Sequence, residues 1–358
     1  MAKIKDIELG DFPLFLSPMD DVTDQPFRAL CKQHGADVLI SEFIASEALI
    51  RDAEKSLRKM RFDEAERPIG IQIFGSEERS LLQCLDVVQQ AKPDFIDLNW
   101  GCPVRKVAGK GAGSGMLRDI PKLLAITASV VRHATLPVTV KTRLGYDETD
   151  KPIVQLAEQL QDVGVAAISI HGRTKSQMYR GQADWTLIAE TKANPRLHIP
   201  VFGNGDLTTP QQVLDARRRY GVDGVLIGRA AIGNPWIFEQ SRALLDGTHT
   251  ADSMTLDADA ALLDSTHATD SVTLDANAAL IGAPSVQQRV AVCRQHLLAS
   301  VAFKGERQAI FEMRKHYGGY FHSLFGFKPF RIALVTTTDL NELLALLDRI
   351  AAHYATPA

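Results

Sequence analysis

The sequence predicts a (β/α)8 barrel followed by a small α-helical domain, and three observations carry that reading. Eight short apolar runs, each ending in polar or glycine-containing residues, start 24 to 43 residues apart between Leu14 and Ala231. Such spacings suit parallel strands joined through helices by right-handed crossovers, and they exclude hairpins. The segments between runs carry helix-start chemistry, most plainly Thr209-Pro210-Gln211-Gln212, a capping box with proline at the first helical position. Behind a second capping box, Ser285 with Gln288, the apolar period becomes helical at Val286, Val290, Cys293, Leu297 and Val301, and again at Leu340, Leu343, Leu344, Leu347 and Ile350. An open doubly wound sheet is the competing architecture, but no GxGxxG follows the first run.

In order, the runs are Leu14 to Met19, Val38 to Phe43, Ile69 to Phe74, Phe95 to Gly101, Val138 to Gly145, Ala167 to Thr174, Ile199 to Asp206 and Gly224 to Ala231. In a barrel, chemistry sits at the C-terminal strand ends. Here those ends offer Ser17-Pro18-Met19-Asp20, Ser41-Glu42, Gln72, Asn99 with Cys102, Lys141 with Arg143, His171 with Arg173, Asn204 with Asp206, and Gly228-Arg229. Singly, Gln72 or Glu42 reads as a satisfied structural hydrogen-bonder, and Cys102 as a small buried hydrophobe. Polar endings on all eight runs are hard to attribute to packing, because a buried polar group costs free energy unless it is paired.

Two stretches point further. Phe202-Gly203-Asn204-Gly205-Asp206 and Gly228-Arg229 put glycines and a guanidinium after strands seven and eight, where barrel enzymes bind phosphate. The fourth loop, the longest, carries Gly109, Gly111, Gly113 and Gly115 among Arg105, Lys106 and Lys110, a composition suited to wrapping a substrate and presenting Cys102. It contains no GxxxxGK[ST], so it is not a P-loop.

Composition narrows the class. The chain has 358 residues, 45% apolar and 23% charged, with a formal net charge of −3. Its four cysteines form no CxxC, so neither a disulfide framework nor a zinc site is expected. No apolar leader and no spanning apolar run occur, and the expectation is a soluble, cytoplasmic, metal-free protein without membrane contact. Residues 248–264 recur as 266–282 with 11 of 17 positions identical. That acidic tandem repeat, within 247–284, holds six aspartates and no Lys or Arg, which leaves the rest of the chain at +3. It lacks DxDxDG, so a calcium loop is not indicated. The expected domains are therefore a catalytic barrel over 1–246, the repeat insert over 247–284 and a helical domain over 285–358. The last has nine Lys or Arg against five Asp or Glu, with Arg314 and Lys315 among aromatic residues. A solvated helix face is the bland explanation for that balance.

These motifs resemble those of the tRNA-dihydrouridine synthase family. The resemblance runs through Pro18-Met19, Ser41-Glu42-Phe43, Gln72-Ile73-Phe74-Gly75, Asn99-Trp100-Gly101-Cys102-Pro103, Lys141-Thr142-Arg143, His171-Gly172-Arg173-Thr174, Gly203-Asn204-Gly205-Asp206 and Gly228-Arg229, and it covers the chain apart from the insert. It implies bound FMN, reduced by NADPH, which passes hydride to C6 of a tRNA uracil while Cys102 protonates C5. Pro18, Met19, Gln72, Lys141, His171, Asn204, Gly205, Asp206, Gly228 and Arg229 match the family's flavin-binding positions, and Asp20 is added to them. Asn99, Arg143 and Arg173 are expected to face the uracil. Arg105, Lys106, Arg314 and Lys315 are expected to contact tRNA. Ser17 stands where alanine is common, and Asp20-Asp21 where small residues are usual. A flavin-dependent reductase of a free pyrimidine or enone, a Schiff-base aldolase using Lys141, and a non-catalytic RNA-binding barrel are the alternatives.

Overall fold

The computed structural model of the chain describes residues 1–51, 53–258 and 282–355. The chain divides into two compact units, one of Met1–Lys32, Ala36–Leu207 and Asp215–Gly228, the other of Gln33–Gly35, Thr208–Leu214 and Arg229–Ala358. Residues 259–281 of the expected insert lie outside the described residues, and its first part continues the helix Ile237–Ala258.

The first unit is a closed parallel barrel. Its strands are β1 (Leu14–Leu16), β2 (Val38–Ile40), β3 (Ile69–Phe74), β4 (Phe95–Asn99), β5 (Val138–Arg143), β6 (Ala167–His171), β7 (Val201–Asn204) and β8 (Gly224–Ile227). Each pairs in parallel with the next, and β8 pairs with β1, so no edge is left open. The predicted (β/α)8 architecture is thus observed, down to the long excursion between β4 and β5.

Phe15, Val38, Ile40, Phe95, Ala167, Phe202 and Leu226, from six strands, pack into one apolar cluster with Ala2, Ile4 and Leu9. The last three flank or belong to an antiparallel hairpin of Lys3–Ile4 and Ile7–Glu8, which seals that end of the barrel. Apolar residues fill the floor, which leaves the polar strand ends for the opposite rim.

In the second unit, the Ser285–Gln288 capping box starts the helix Val286–Lys304, and Glu306–Tyr320, Lys328–Thr336 and Leu340–His353 follow. Of the periodic positions, Val290, Cys293, Leu297, Leu343, Leu347 and Ile350 are buried and Val286, Val301, Leu340 and Leu344 are half-buried, while Ile310, Met313 and Leu334 join the buried set from the two middle helices. Gly319 permits a close backbone approach, since a Cβ there would lie 1.9 Å from the Ile232 carbonyl oxygen. No helix among the described residues is long and apolar enough to cross a membrane.

Candidate active site

Alternation along a strand sends every second side chain inward. On β4 that places Asp97 and Asn99 above Phe95. Register then aligns rows around the barrel: Gln72 beside Asp97 and Thr139, Asn99 beside Lys141 and Ser169, and Arg143 beside His171, which also neighbours Asn204. Residues far apart in the chain meet because parallel pairing fixes their height.

Hydrogen bonds join the first two rows. Thr139 Oγ1 and Gln72 Nε2 donate to the two Asp97 carboxylate oxygens at 2.6 and 2.5 Å, and Gln72 Oε1 accepts from Asn99 Nδ2 at 2.7 Å. Asn99 Oδ1 in turn accepts the backbone N–H groups of Gly101, at 3.0 Å, and Cys102, at 2.8 Å. Two bonds from Ser114, through its N–H and its hydroxyl, hold the Cys102 carbonyl from the far side of the loop. Gly113 adopts φ +54, and a Cβ there would sit 3.0 Å from that same carbonyl, so the loop closes against Cys102 without a side chain in the way.

The Cys102 side chain is 7% exposed and clusters with Val107, Ala112, Phe43 and Phe74. Burial pushes its thiol above the usual range, while the Val104 N–H and the Arg143 guanidinium pull it partway back. The group therefore rests as a protonated thiol beside polar neighbours. That state suits a proton donor and not a thiolate nucleophile.

Arg143 is buried and acts as a tie. Its Nε donates to the Gly101 carbonyl at 2.8 Å, and its Nη1 to those of Thr174 and Met178 at 2.9 and 2.8 Å, which joins the loop after β4 to the loop after β6. Lys141 donates to Asn204 Oδ1 at 3.1 Å, and burial, followed by the Arg143 charge, draws its ammonium down to about 8. Asn204 Nδ2 donates to the Leu226 carbonyl.

Arg173 and Asp206, expected on different ligands, meet each other. Two bonds at 2.9 and 2.6 Å form a bidentate pair, and the Ala183 N–H adds a third donor to the carboxylate. The guanidinium also reaches the Arg180 and Gly181 carbonyls and lies 3.4 Å from His171 Nε2. Gly205, at φ +126, could not hold a side chain there, since a Cβ would lie 2.7 Å from Ala183 Cβ.

In the first loop, Asp20 pairs with Lys59, and Lys59 lies 3.5 Å from Glu42, whose carboxylate accepts the Asp21 N–H. Burial raises the Glu42 carboxyl. The acidic pair that departs from the family pattern is thus countered by two lysines of the helix Glu54–Lys59, Lys59 on Asp20 and Lys55 on Asp21 at 3.1 Å. Pro18 and Met19 are half-buried beside it.

Gly228 ends β8 next to Ser17 and Met19, and Arg229, exposed, opens a short 3-10 turn. Arg105 and Lys106 lie exposed on the fourth loop's single helical turn. In the helical unit, the Arg314 guanidinium covers the Phe311 ring at 4.2 Å, and Lys315 is exposed.

Sequence reasoning passed over Asp97, Thr139 and Ser114. Asp97 had a signal: a charge inside an apolar run, two residues from Asn99 and so on the same face. Ser114 had none, because only the loop's path brings it to Cys102.

Residues 15–355 match the dihydrouridine synthase (Dus) family. tRNA-dihydrouridine synthase B of Pseudomonas putida is 34% identical over 320 residues, 89% of this chain and 85% of that protein. Its namesake in Pseudomonas aeruginosa is 34% identical over 95% of this chain and 93% of that one, and the probable tRNA-dihydrouridine synthase of Rickettsia conorii is 33% identical over 99% and 96%. Similarity of that extent takes in the barrel and the helical unit together, and the chain belongs to the dihydrouridine synthase family.

Proposed function

We propose that this protein reduces uridine in tRNA to 5,6-dihydrouridine, with FMN as its cofactor, NADPH as reductant and Cys102 as the general acid at uracil C5. The observation that carries the reading is the family match across nearly the whole chain. The polar rim agrees with it, since a barrel enzyme works at the C-terminal ends of its strands.

The residues present fit a flavin. Lys141 spends one hydrogen bond on Asn204, and an ammonium carries three protons, so it retains donors for the edge of a ring that becomes anionic on reduction. At Gly228 an added Cβ would stand in ordinary contact with Ser17 Cβ and Met19 Sδ, at 3.5 and 3.6 Å, so the glycine leaves that patch of the rim without a side chain. Gln72, His171, Asn204, Gly205 and Asp206 would line the cofactor, with Pro18, Met19 and Asp20 from the first loop, and Arg229 would hold the phosphate. A flavin held there would, once reduced, supply the hydride for C6. Cys102 then donates the thiol proton to C5, and the Arg143 and Lys141 charges stabilise the thiolate left behind. Asn99 and Arg143 orient the uracil, and Arg173, whose guanidinium is taken up by Asp206 and the Arg180 and Gly181 carbonyls, holds the loop after β6 beside it.

Reaching a barrel interior requires the uridine to leave its stack, at a cost of a few kcal/mol that contacts away from the chemistry must supply. Arg105 and Lys106 on the barrel unit, and Arg314 and Lys315 on the helical unit, provide these contacts through phosphates. The enzyme acts as a cytoplasmic monomer without a metal.

The purified protein should show a flavin spectrum, oxidise NADPH and form dihydrouridine in unmodified tRNA, and Arg229→Ala should release the flavin. A colourless protein, or one that reduces free pyrimidines or enones but leaves tRNA unchanged, would overturn the reading.

A further inference from the structure

We propose that Asp97 is a positioning residue for Cys102, acting through Gln72 and Asn99. The inference rests on the proposed role of Cys102, and it adds a residue that touches neither cofactor nor substrate.

Hydrogen-bond polarity fixes each link. Backbone N–H groups only donate, so the Asn99 side chain must turn its oxygen toward Gly101 and Cys102 and its Nδ2 toward Gln72. Gln72 must then offer its oxygen to Asn99, at 2.7 Å, and its amide nitrogen to the opposite side. The group met there must accept. An ionised carboxylate is the side chain that accepts without donating, and Asp97 stands there at 2.5 Å. Its second oxygen is used as well, by Thr139 at 2.6 Å, so the carboxylate cannot rotate without losing a bond. Asp97, Gln72 and Asn99 are 1%, 0% and 5% exposed, which leaves little water to substitute for any link.

Burial raises the Asp97 carboxyl, and the Gln72 and Thr139 donors, together with the Lys141 charge, oppose that rise. It is the geometry that marks an accepting carboxylate, since each of its two oxygens receives a donor, Gln72 Nε2 at one and Thr139 Oγ1 at the other. The chain of four residues is fixed at both ends, and its last link is the amide of the residue that bears the thiol. A full carboxylate in a strand interior, beside an apolar floor, is otherwise an expensive choice for packing.

The test reads the thiol and not the reaction. Purified full-length protein is alkylated with iodoacetamide across a pH series, and Cys102, Cys31, Cys84 and Cys293 are followed separately by peptide mass spectrometry. Limiting rates at high pH are compared, so that a shifted thiol pKa is not mistaken for an opened loop. The series is repeated on protein stripped of bound cofactor, so that lost flavin is not mistaken for it either.

Asp97→Leu is expected to raise the limiting rate at Cys102 about 10-fold, the worth of roughly one buried hydrogen bond, with the other three cysteines unchanged. Asp97→Asn keeps the shape and one acceptor but loses the charge, and charge-assisted bonds are about twice as strong as neutral ones, so a rise of about threefold is expected. Because the links are in series, Gln72→Leu should match Asp97→Leu, and the double variant should add nothing. An unchanged Cys102 rate in folded Asp97→Leu, or in Asp97→Asn should the first not fold, would overturn the proposal. So would a parallel rise at all four cysteines, which would show general loosening. Dihydrouridine formation, assayed separately, bears on the acid role of Cys102 and leaves the alkylation result standing.

Discussion

Cys102, in the loop after β4, and Cys293, in the helix Val286–Lys304, are both withdrawn from solvent, at 7% and 0% exposure. Burial pushes both thiols up. Around Cys293 the opposing influence is the adjacent Arg294 alone, and the thiol stays far outside the range in which a proton could be released. Cys102 has the Val104 N–H, Arg143 and Lys141 to draw it back, and its own backbone is pinned by Asn99 and Ser114. Burial by itself yields an inert packing residue. A polar frame around a buried thiol is what the proposed proton donor needs.

Stripping the frame should move Cys102 toward the condition of Cys293. Asn99→Leu removes the acceptor shared by two N–H groups, which should cost about 1–3 kcal/mol of stability. Dihydrouridine formation should drop about 100-fold, the lower end of what a positioned general acid contributes. A denaturant titration and a tRNA assay check the two halves. The corresponding apolar change in the helical unit, Cys293→Ala, should leave the reaction rate intact.

A smaller effect should separate the two units by pH. His316 is buried, and burial, then His296 and the nearby Lys315 and Lys304 charges, hold its pKa well below 6.5. The folded state thus keeps it neutral while the unfolded chain takes up a proton near 6.5. Its contribution is intact above that pH and is lost as pH falls below it, at up to about 1.4 kcal/mol per unit. Urea unfolding of the wild type and His316→Gln at pH 7.5 and 5.5 should show a shallower loss in the variant. Equal losses would remove His316 from the account.

The smallest change expected at working salt is in RNA affinity. Replacing Arg314 and Lys315 by alanine should lower the log-log salt slope of tRNA binding by about 1.4 to 1.8, for two lost phosphate contacts. NADPH-driven flavin reduction serves as the internal control. An unchanged slope would make the helical unit a packing element.

The barrel was legible because its signals are local. Strands such as Phe95–Asn99 declare themselves by apolar runs, and the capping boxes at Thr209 and Ser285 form the bonds their spacing implies. The rim was legible as a set of residues, since every strand ends in polar groups. Its wiring was not. Arg173 and Asp206 are 33 residues apart and pair because two loops fold over neighbouring strand ends, a path no single stretch encodes. Arg143 reads as a ligand-facing charge in sequence, yet it spends its Nε and Nη1 on three carbonyls. Asp97 was hidden among the apolar neighbours that bury it.

The central claim is that Cys102 serves the second half of the reaction and has no part in the first. Rapid mixing of Cys102→Ala with NADPH, and then of the reduced protein with unmodified tRNA, tests this within one sample. Flavin reduction should proceed at the wild-type rate, and dihydrouridine formation should slow by about 10²–10⁴, the range of general-acid contributions. Slowed flavin reduction, or dihydrouridine formed at the wild-type rate, would contradict the account and leave Cys102 as a second Cys293.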